Sequence, residues 1–449
     1  MFLIVLVTVL ACVIYGFLRP SSAAMLILVL VPLLGPGGFY FGVNTIFPVN
    51  AYRLGFFMLI GILFKRQTNV INIIATKRYT HIFIFYFTVL ILLQVRHYPV
   101  PTLFTMIPFY TISLFLPFVL LRRFDDIYKI ANVFVIHAVI ISSFCLIEYY
   151  TSFSITAFIR EYSGVNIEDL QTKGGIERFR GGFYRVAGLH GNSVQTAYHL
   201  LFLFPLTIFY LKYERSLIRI IPLSLVLVSL FLLQTRAAII AVIATVIFIQ
   251  FLLVKHYGIR PAILNAIKTT LILGIIFSFL LVFSDELSKI ARTFISNIYE
   301  SIFSSSQVNY GTQNDLYYKL NRLPIAFQIF LKHPLIGYLS SPRYAYYVLM
   351  RTDDVPSIVL NLLGGGVLLA SLYAYAMVTS VYKTVKGIKL LDTRKQKDLV
   401  IYSGAAMFGG IFVTLSNWAE EHFLSIFLLY FILRYLREMI LEKKSISSI

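Results

Sequence analysis

The chain is 449 residues long, 58% hydrophobic, 13% charged and formally +19 at pH 7. A chain this apolar is no ordinary soluble domain: it repeats apolar runs of about 20 residues, the length an α-helix needs to cross a bilayer. Its two cysteines, Cys12 and Cys145, both lie inside such runs, which excludes a disulfide framework and a zinc cage. No P-loop, Rossmann glycine pattern or HExxH occurs, so no nucleotide, metal or other cofactor is expected.

The expected fold class is all-α: a polytopic helical membrane protein with about 12–14 transmembrane helices and two long extracytoplasmic loops. Residues 1–449 form a single integral membrane domain. In chain order the predicted spans are 2–18, 23–36, 52–64, 80–95, 102–121, 130–148, 193–211, 217–234, 236–254, 263–284, 357–382, 399–417 and 422–436. The opening run lacks the basic start and small-residue cleavage site of a secretory signal and reads as a retained span.

Charge orients the spans. Arg19, the loops 65–79, 122–129, 212–219, 255–268 and 383–398, and the tail after Ile432 hold 24 Lys/Arg against 7 Asp/Glu. The other side holds the remaining 15 against 13. This asymmetry puts the first set in the cytoplasm. Because the basic residues alternate with spans instead of forming one patch, nucleic acid is not an expected partner.

The first outer loop, 149–192, ends in RFRGGFYRVAGLHGN, which gathers Arg178, Arg180 and Arg185 among glycines. Arg185 lies seven residues before Asn192, where a span begins. Glycines such as Gly188 let backbone approach a bulky ligand, and amides near a helix start favour anions. The bland reading is a flexible loop with solvated charges, and Arg178 and Arg180 fit headgroup-facing charges better than ligands. His190, on the same loop, and His333 lie on the outer side with His97 and His422; an imidazole titrating near about pH 6.5 can take a proton from a sugar hydroxyl. His199, inside a span, reads as a satisfied core histidine.

Thr235-Arg236 separates two spans with hardly any loop. An arginine there either snorkels to headgroups or faces a wet cavity, where its planar fork suits phosphate oxygens. The second outer loop, 285–356, opens with an amphipathic helix over 287–303, then a polar segment 304–315. A second helix follows around 323–331 with Pro324 in its first turn, then a turn at 333–337. Asp353 and Asp354 precede the span at 357, as dipole partners of that helix or as a carboxylate base. Gly364-Gly365-Gly366 and the small residues Ala405, Ala406, Gly409 and Gly410 read as sites of close helix approach.

Taken together, these motifs resemble a family. Arg185, Gly188 and Asn192 on an outer loop come first, then Thr235-Arg236 between spans. A large outer loop with Pro334, Leu335 and Gly337 follows, then Asp353 with Gly364 eleven residues on. The order is similar to the O-antigen ligase and Wzy-type polymerase family over about residues 180–415. The resemblance implies metal-independent, inverting glycosyl transfer at the outer face of the bacterial cytoplasmic membrane. The donor would be an undecaprenyl-diphosphate-linked oligosaccharide and the acceptor a hydroxyl of the growing glycan, with membrane lipids and a chain-length regulator protein as further partners. Arg185 and Arg236 would match the family's two cavity arginines, with Gly188, Asn192 and Arg180 beside them. Ligases of the family carry a histidine where this chain has Asp353-Asp354, which favours a polymerase with Asp353 as base and His190 or His333 as substitutes. A ligase, a transporter or flippase of the same lipid-linked units, and a non-catalytic scaffold remain the alternatives.

Overall fold

The computed structural model describes residues 2–34, 50–66, 78–96, 107–121, 125–154, 156, 158, 179–180, 183–184, 186–214, 217–283, 289, 315–340, 345 and 356–414. The helices among them are α1 Phe2–Leu18, α2 Pro20–Leu34, α3 Ala51–Lys65, α4 Arg78–Val95, α5 Ile107–Leu120, α6 Asp126–Thr151 and α7 Ser193–Tyr213. They continue with α8 Ile220–Leu232, α9 Arg236–Tyr257, α10 Ile259–Phe283, α11 Asp315–Leu331, α12 Ser357–Gly387 and α13 Arg394–Thr414. Four of these, α6, α7, α9 from Ala237 and α12, are long and apolar enough to cross a membrane, and five shorter ones are apolar. The protein is therefore a helical membrane protein. The predicted span 422–436 and the amphipathic helix 287–303 (apart from Lys289) lie outside the described residues.

Apolar runs fold this way because a helix satisfies its backbone groups within itself, which an environment without water demands. Side chains finish the ends. Asn50 caps α3 by accepting from the Arg53 amide at 3.0 Å, and Asn192 caps α7 by accepting from Val194 at 2.8 Å and Gln195 at 3.4 Å. Helix α7 is the hub: it packs on α6, α8, α9 and α13, and its middle is buried on every side from Thr196 to Phe209.

The helix ends sort into two groups. At one end, Lys65 donates to the Leu18 carbonyl and Arg66 to that of Val119. There too the fully buried Asp398 of α13 accepts from Lys212 of α7 at 2.5 Å and from Tyr213, while Lys395 lies 4.8 Å over the Tyr128 ring. This basic end carries the loops that the sequence assigns to the cytoplasm. The opposite, loop end carries Asn50, Asn192 and the segments around 186–192 and 333–340.

Small residues bring helices together as expected in one place and differently in another. Gly409 of α13 is so close to α9 that an added Cβ would stand 2.6 Å from Thr245 Oγ1. The glycine triplet of α12, however, receives a turn instead of a helix. Gly366 breaks α12 with a left-handed φ of 66°, and the turn 334–340 docks into the break. The Tyr338 amide donates to Leu363, that of Ser340 to Gly364, and that of Val367 to Pro334, at 2.9 to 3.0 Å. Arg96, one residue past α4, adds a bond to the Leu339 carbonyl at 3.4 Å.

Two local expectations are corrected. The helix foreseen at 323–331 begins at Asp315, with Pro324 inside it; a proline removes one amide donor and bends a helix without having to start it. The first outer loop, read as irregular, holds a two-residue antiparallel ladder, β1 Phe179–Arg180 with β2 Phe183–Tyr184, pairing Phe179 with Tyr184.

The α12 break gives a paired prediction. A Cβ on Gly366 would lie 2.3 Å from the Leu335 carbonyl oxygen, whereas one on Gly274 in α10 meets nothing within 4 Å. Gly366→Ala should cost at least about 2 kcal/mol, and Gly274→Ala should be neutral or stabilising by up to about 1 kcal/mol. Thermal unfolding in detergent checks both; equal midpoints for the two variants would contradict the docked turn.

Candidate functional site

The loop 186–192, between the β ladder and α7, is fixed by polar bonds inside an apolar bundle. Glu148, on the last turns of α6 and buried, accepts the Gly188 amide on Oε2 at 2.7 Å and the Ala187 amide on Oε1 at 3.2 Å. Thr196 of α7 donates to the Ala187 carbonyl at 2.6 Å, and Thr156 to the Gly188 carbonyl at 3.5 Å. The Gly191 amide also turns back to the Gly188 carbonyl, at 3.0 Å. Gly188 has a φ of 69°, and a Cβ on it would stand 2.6 Å from Thr196 Cγ2 and 3.1 Å from Cys145 Sγ. Glycine is required here by backbone conformation and by packing. The amide and carbonyl of Gly188 are both used within the protein, so its part in the site is to shape the loop. Asn192 Oδ1 is likewise committed, to the start of α7.

The second expected motif reaches the same level. Helices α6 and α8 both start at the basic end and meet where Ser229 donates to the Ser142 carbonyl at 3.3 Å. Glu148 stands six residues farther along α6, a rise of roughly 9 Å, while α8 ends at Leu232, the chain turns at Gln234 with a φ of 49°, and Thr235 caps α9. Arg236 is the first residue of α9. The start of α9 and Glu148 therefore both lie beyond the Ser142–Ser229 contact, toward the loop end of the bundle. Arg185 itself, Asp353 and Asp354 lie outside the described residues; of Arg236 and Arg180 only the backbone is described, in α9 and β1. His333 is exposed and stacks edge-on with Tyr338, with ring centroids 4.8 Å apart.

His190 is placed differently from an open imidazole. It is 4% exposed, and its Nε2 donates to the Pro32 carbonyl of α2 at 3.3 Å. That bond fixes the tautomer and leaves Nδ1 as a bare acceptor. The His199 ring lies 4.8 Å away, and His137 of α6 is within electrostatic reach. All three are buried, and His137 at both ring nitrogens, His190 at Nδ1 and His199 at Nε2 have no hydrogen-bond partner. His199 is therefore buried as expected, with its Nε2 unpartnered. In this conformation the His190 ring faces protein on all sides. Burial pushes its pKa down to about 4, against a smaller upward pull from the Pro32 carbonyl.

Beside Pro32, an apolar cavity of about 70 Å³ lies between α2 and α3, lined by Val31, Leu34, Ala51, Leu54, Met58 and Asn50 among others. Arg53, in the first turn of α3, is a buried cation at this same end. Sequence reasoning passed over Arg53, Glu148 and His137. Their signal was present: each is a lone polar or charged residue inside an apolar helix, the kind of residue that a membrane interior tolerates only for a reason. Among the described residues, no group of three or more His, Cys, Asp or Glu is placed to hold a metal.

No family model matches the chain, and no curated protein matches it in sequence.

The buried imidazole makes the fold acid-sensitive. With a folded value near 4 against an ordinary value of about 6.5, the unfolded chain takes up a proton between these limits that the folded chain refuses. Stability should be unaffected by this group above about pH 6.5 and should fall as the pH drops toward 4, by on the order of 3 kcal/mol. His190→Gln should give a shallower loss of thermal midpoint between about pH 7 and 4.5. An unchanged slope would show that His190 is not held neutral by burial.

Proposed function

We propose that this protein is a polysaccharide polymerase that joins undecaprenyl-diphosphate-linked oligosaccharide repeat units at the outer face of a bacterial cytoplasmic membrane. About 13 spans carry it, with the basic end in the cytoplasm. The observation that carries the reading is the loop end itself. A buried polar network fixes Ala187 and Gly188, just after Arg185 in sequence, and Arg236 opens α9 toward the same end of the bundle; both arginines are always charged and suited to phosphate.

In this reading a hydroxyl of one glycan attacks the anomeric carbon of the lipid-linked sugar from the face opposite the diphosphate. The new glycosidic bond forms as the bond to the diphosphate breaks, with inversion. Asp353 takes the hydroxyl proton, and Arg185 and Arg236 balance the charge that develops on the departing lipid diphosphate. His333, exposed on the docked turn, is the substitute base nearest to water. His190 shapes the loop.

A transporter or flippase of the same lipid-linked units is the second reading, because α12 is interrupted and broken helices are common where transporters bind substrate. Against it, the break at Gly366 is filled by the docked turn, which bonds to the Leu363 and Gly364 carbonyls and the Val367 amide. A ligase would differ from the polymerase in its acceptor only.

Arg185→Ala and Arg236→Ala should each lower polymer formation at least about a hundredfold, while single lipid-linked units still accumulate outside. Gel analysis of glycan length with an assay of lipid-linked units on each side reads this directly. Normal chains would refute the catalytic reading, and units retained on the cytoplasmic side would instead support the flippase. Asp353→Asn should abolish polymer while the protein still inserts at wild-type amounts; full activity would move the base to a histidine.

A further inference from the structure

The geometry points to Glu148 as the residue that positions the arginine loop, an inference that rests on the polymerase reading above for its functional half. Glu148 is 4% exposed on α6, yet both of its carboxylate oxygens accept backbone amides from residues 39 and 40 positions farther along the chain. A carboxylate costs several kcal/mol to bury unless hydrogen bonds replace its water. Capping a loop is done more cheaply by a neutral side chain such as Asn192, which caps α7 four residues after Gly188.

What a carboxylate adds is two acceptors in one rigid plane. They fix two consecutive amides at once, and so set the direction in which the chain leaves Ala187 toward Arg185. Gly188 and Thr196 fit the same arrangement: the left-handed glycine turns the chain so that both amides face Glu148, and the Thr196 hydroxyl takes the Ala187 carbonyl. Glu148 acts on the reaction only through the loop, so it is a positioning residue.

The test uses the full-length protein in lipid nanodiscs. In Glu148→Gln one acceptor oxygen remains, while the new amide group offers a donor where the second backbone amide needs an acceptor. Hydrogen exchange at Ala187 and Gly188 should quicken about tenfold or more, with the middle of α7 unchanged. The turnover number with a lipid-diphosphate-linked repeat unit should fall about tenfold while the donor KM stays within about threefold, because the loop's arginine acts on the leaving group. Glu148→Asp, one methylene short, should behave like Glu148→Gln, and Glu148→Ala should lose more of both properties. Should Glu148→Ala fail to fold, the Gln and Asp variants carry the test alone. A merely structural role would lower the yield of folded protein and leave turnover per folded molecule unchanged, and that result would overturn the proposal, as would unchanged exchange at the two amides. The exchange result judges the loop even if Arg185→Ala proves active, so failure of the polymerase reading is separable from failure of this one.

Discussion

Two backbone amides that enter an apolar bundle must find acceptors inside it, and those of Ala187 and Gly188 find both oxygens of one buried carboxylate. Without water to substitute, each unmet amide would cost on the order of several kcal/mol. The arrangement of the loop end follows from that requirement. Gly188 must be left-handed to present its amide, Thr196 must face back to take the Ala187 carbonyl, and α6 and α7 must lie against each other for both to happen. His190 then ties the loop to α2 through the Pro32 carbonyl.

The basic end answers the same constraint with different chemistry. There one fully buried acid, Asp398, takes a lysine and a tyrosine from the end of α7, which joins the hub helix to α13. Each end of α7 thus has a buried carboxylate in its neighbourhood, one paired with a lysine and the other accepting two backbone amides. The ion pair fixes where two helices end, and the amide-bound carboxylate fixes how a loop leaves one.

Much of the helical framework was legible in the sequence because long apolar runs leave the backbone no alternative to helix. The runs at 193–211, 236–254 and 357–382 became Ser193–Tyr213, Arg236–Tyr257 and Ser357–Gly387, each extended into its flanking polar residues. Asn192 was legible as a helix start because its short amide side chain suits a cap. The partners of the loop were not legible. Glu148 lies about 40 residues from the amides it binds, and hydropathy reads it only as the frayed end of a span. The three histidines come from two helices and a loop, and their meeting depends on how α6, α7 and α2 pack, which periodicity does not encode. The glycine triplet of α12 was read as a close-approach surface, correctly in kind, but the approaching partner is a turn, since Gly337 and Gly366 both take left-handed backbone and fit against each other.

The central claim is that Arg185 and Arg236 hold one diphosphate between them. Binding of undecaprenyl diphosphate to the purified protein, measured for wild type, Arg185→Ala, Arg236→Ala and the double variant, tests it most directly. The account predicts that each single substitution weakens binding at least about tenfold and that the double loses less than the sum of the two free-energy changes, because both side chains serve the same group. Wild-type affinity in either single variant would contradict it.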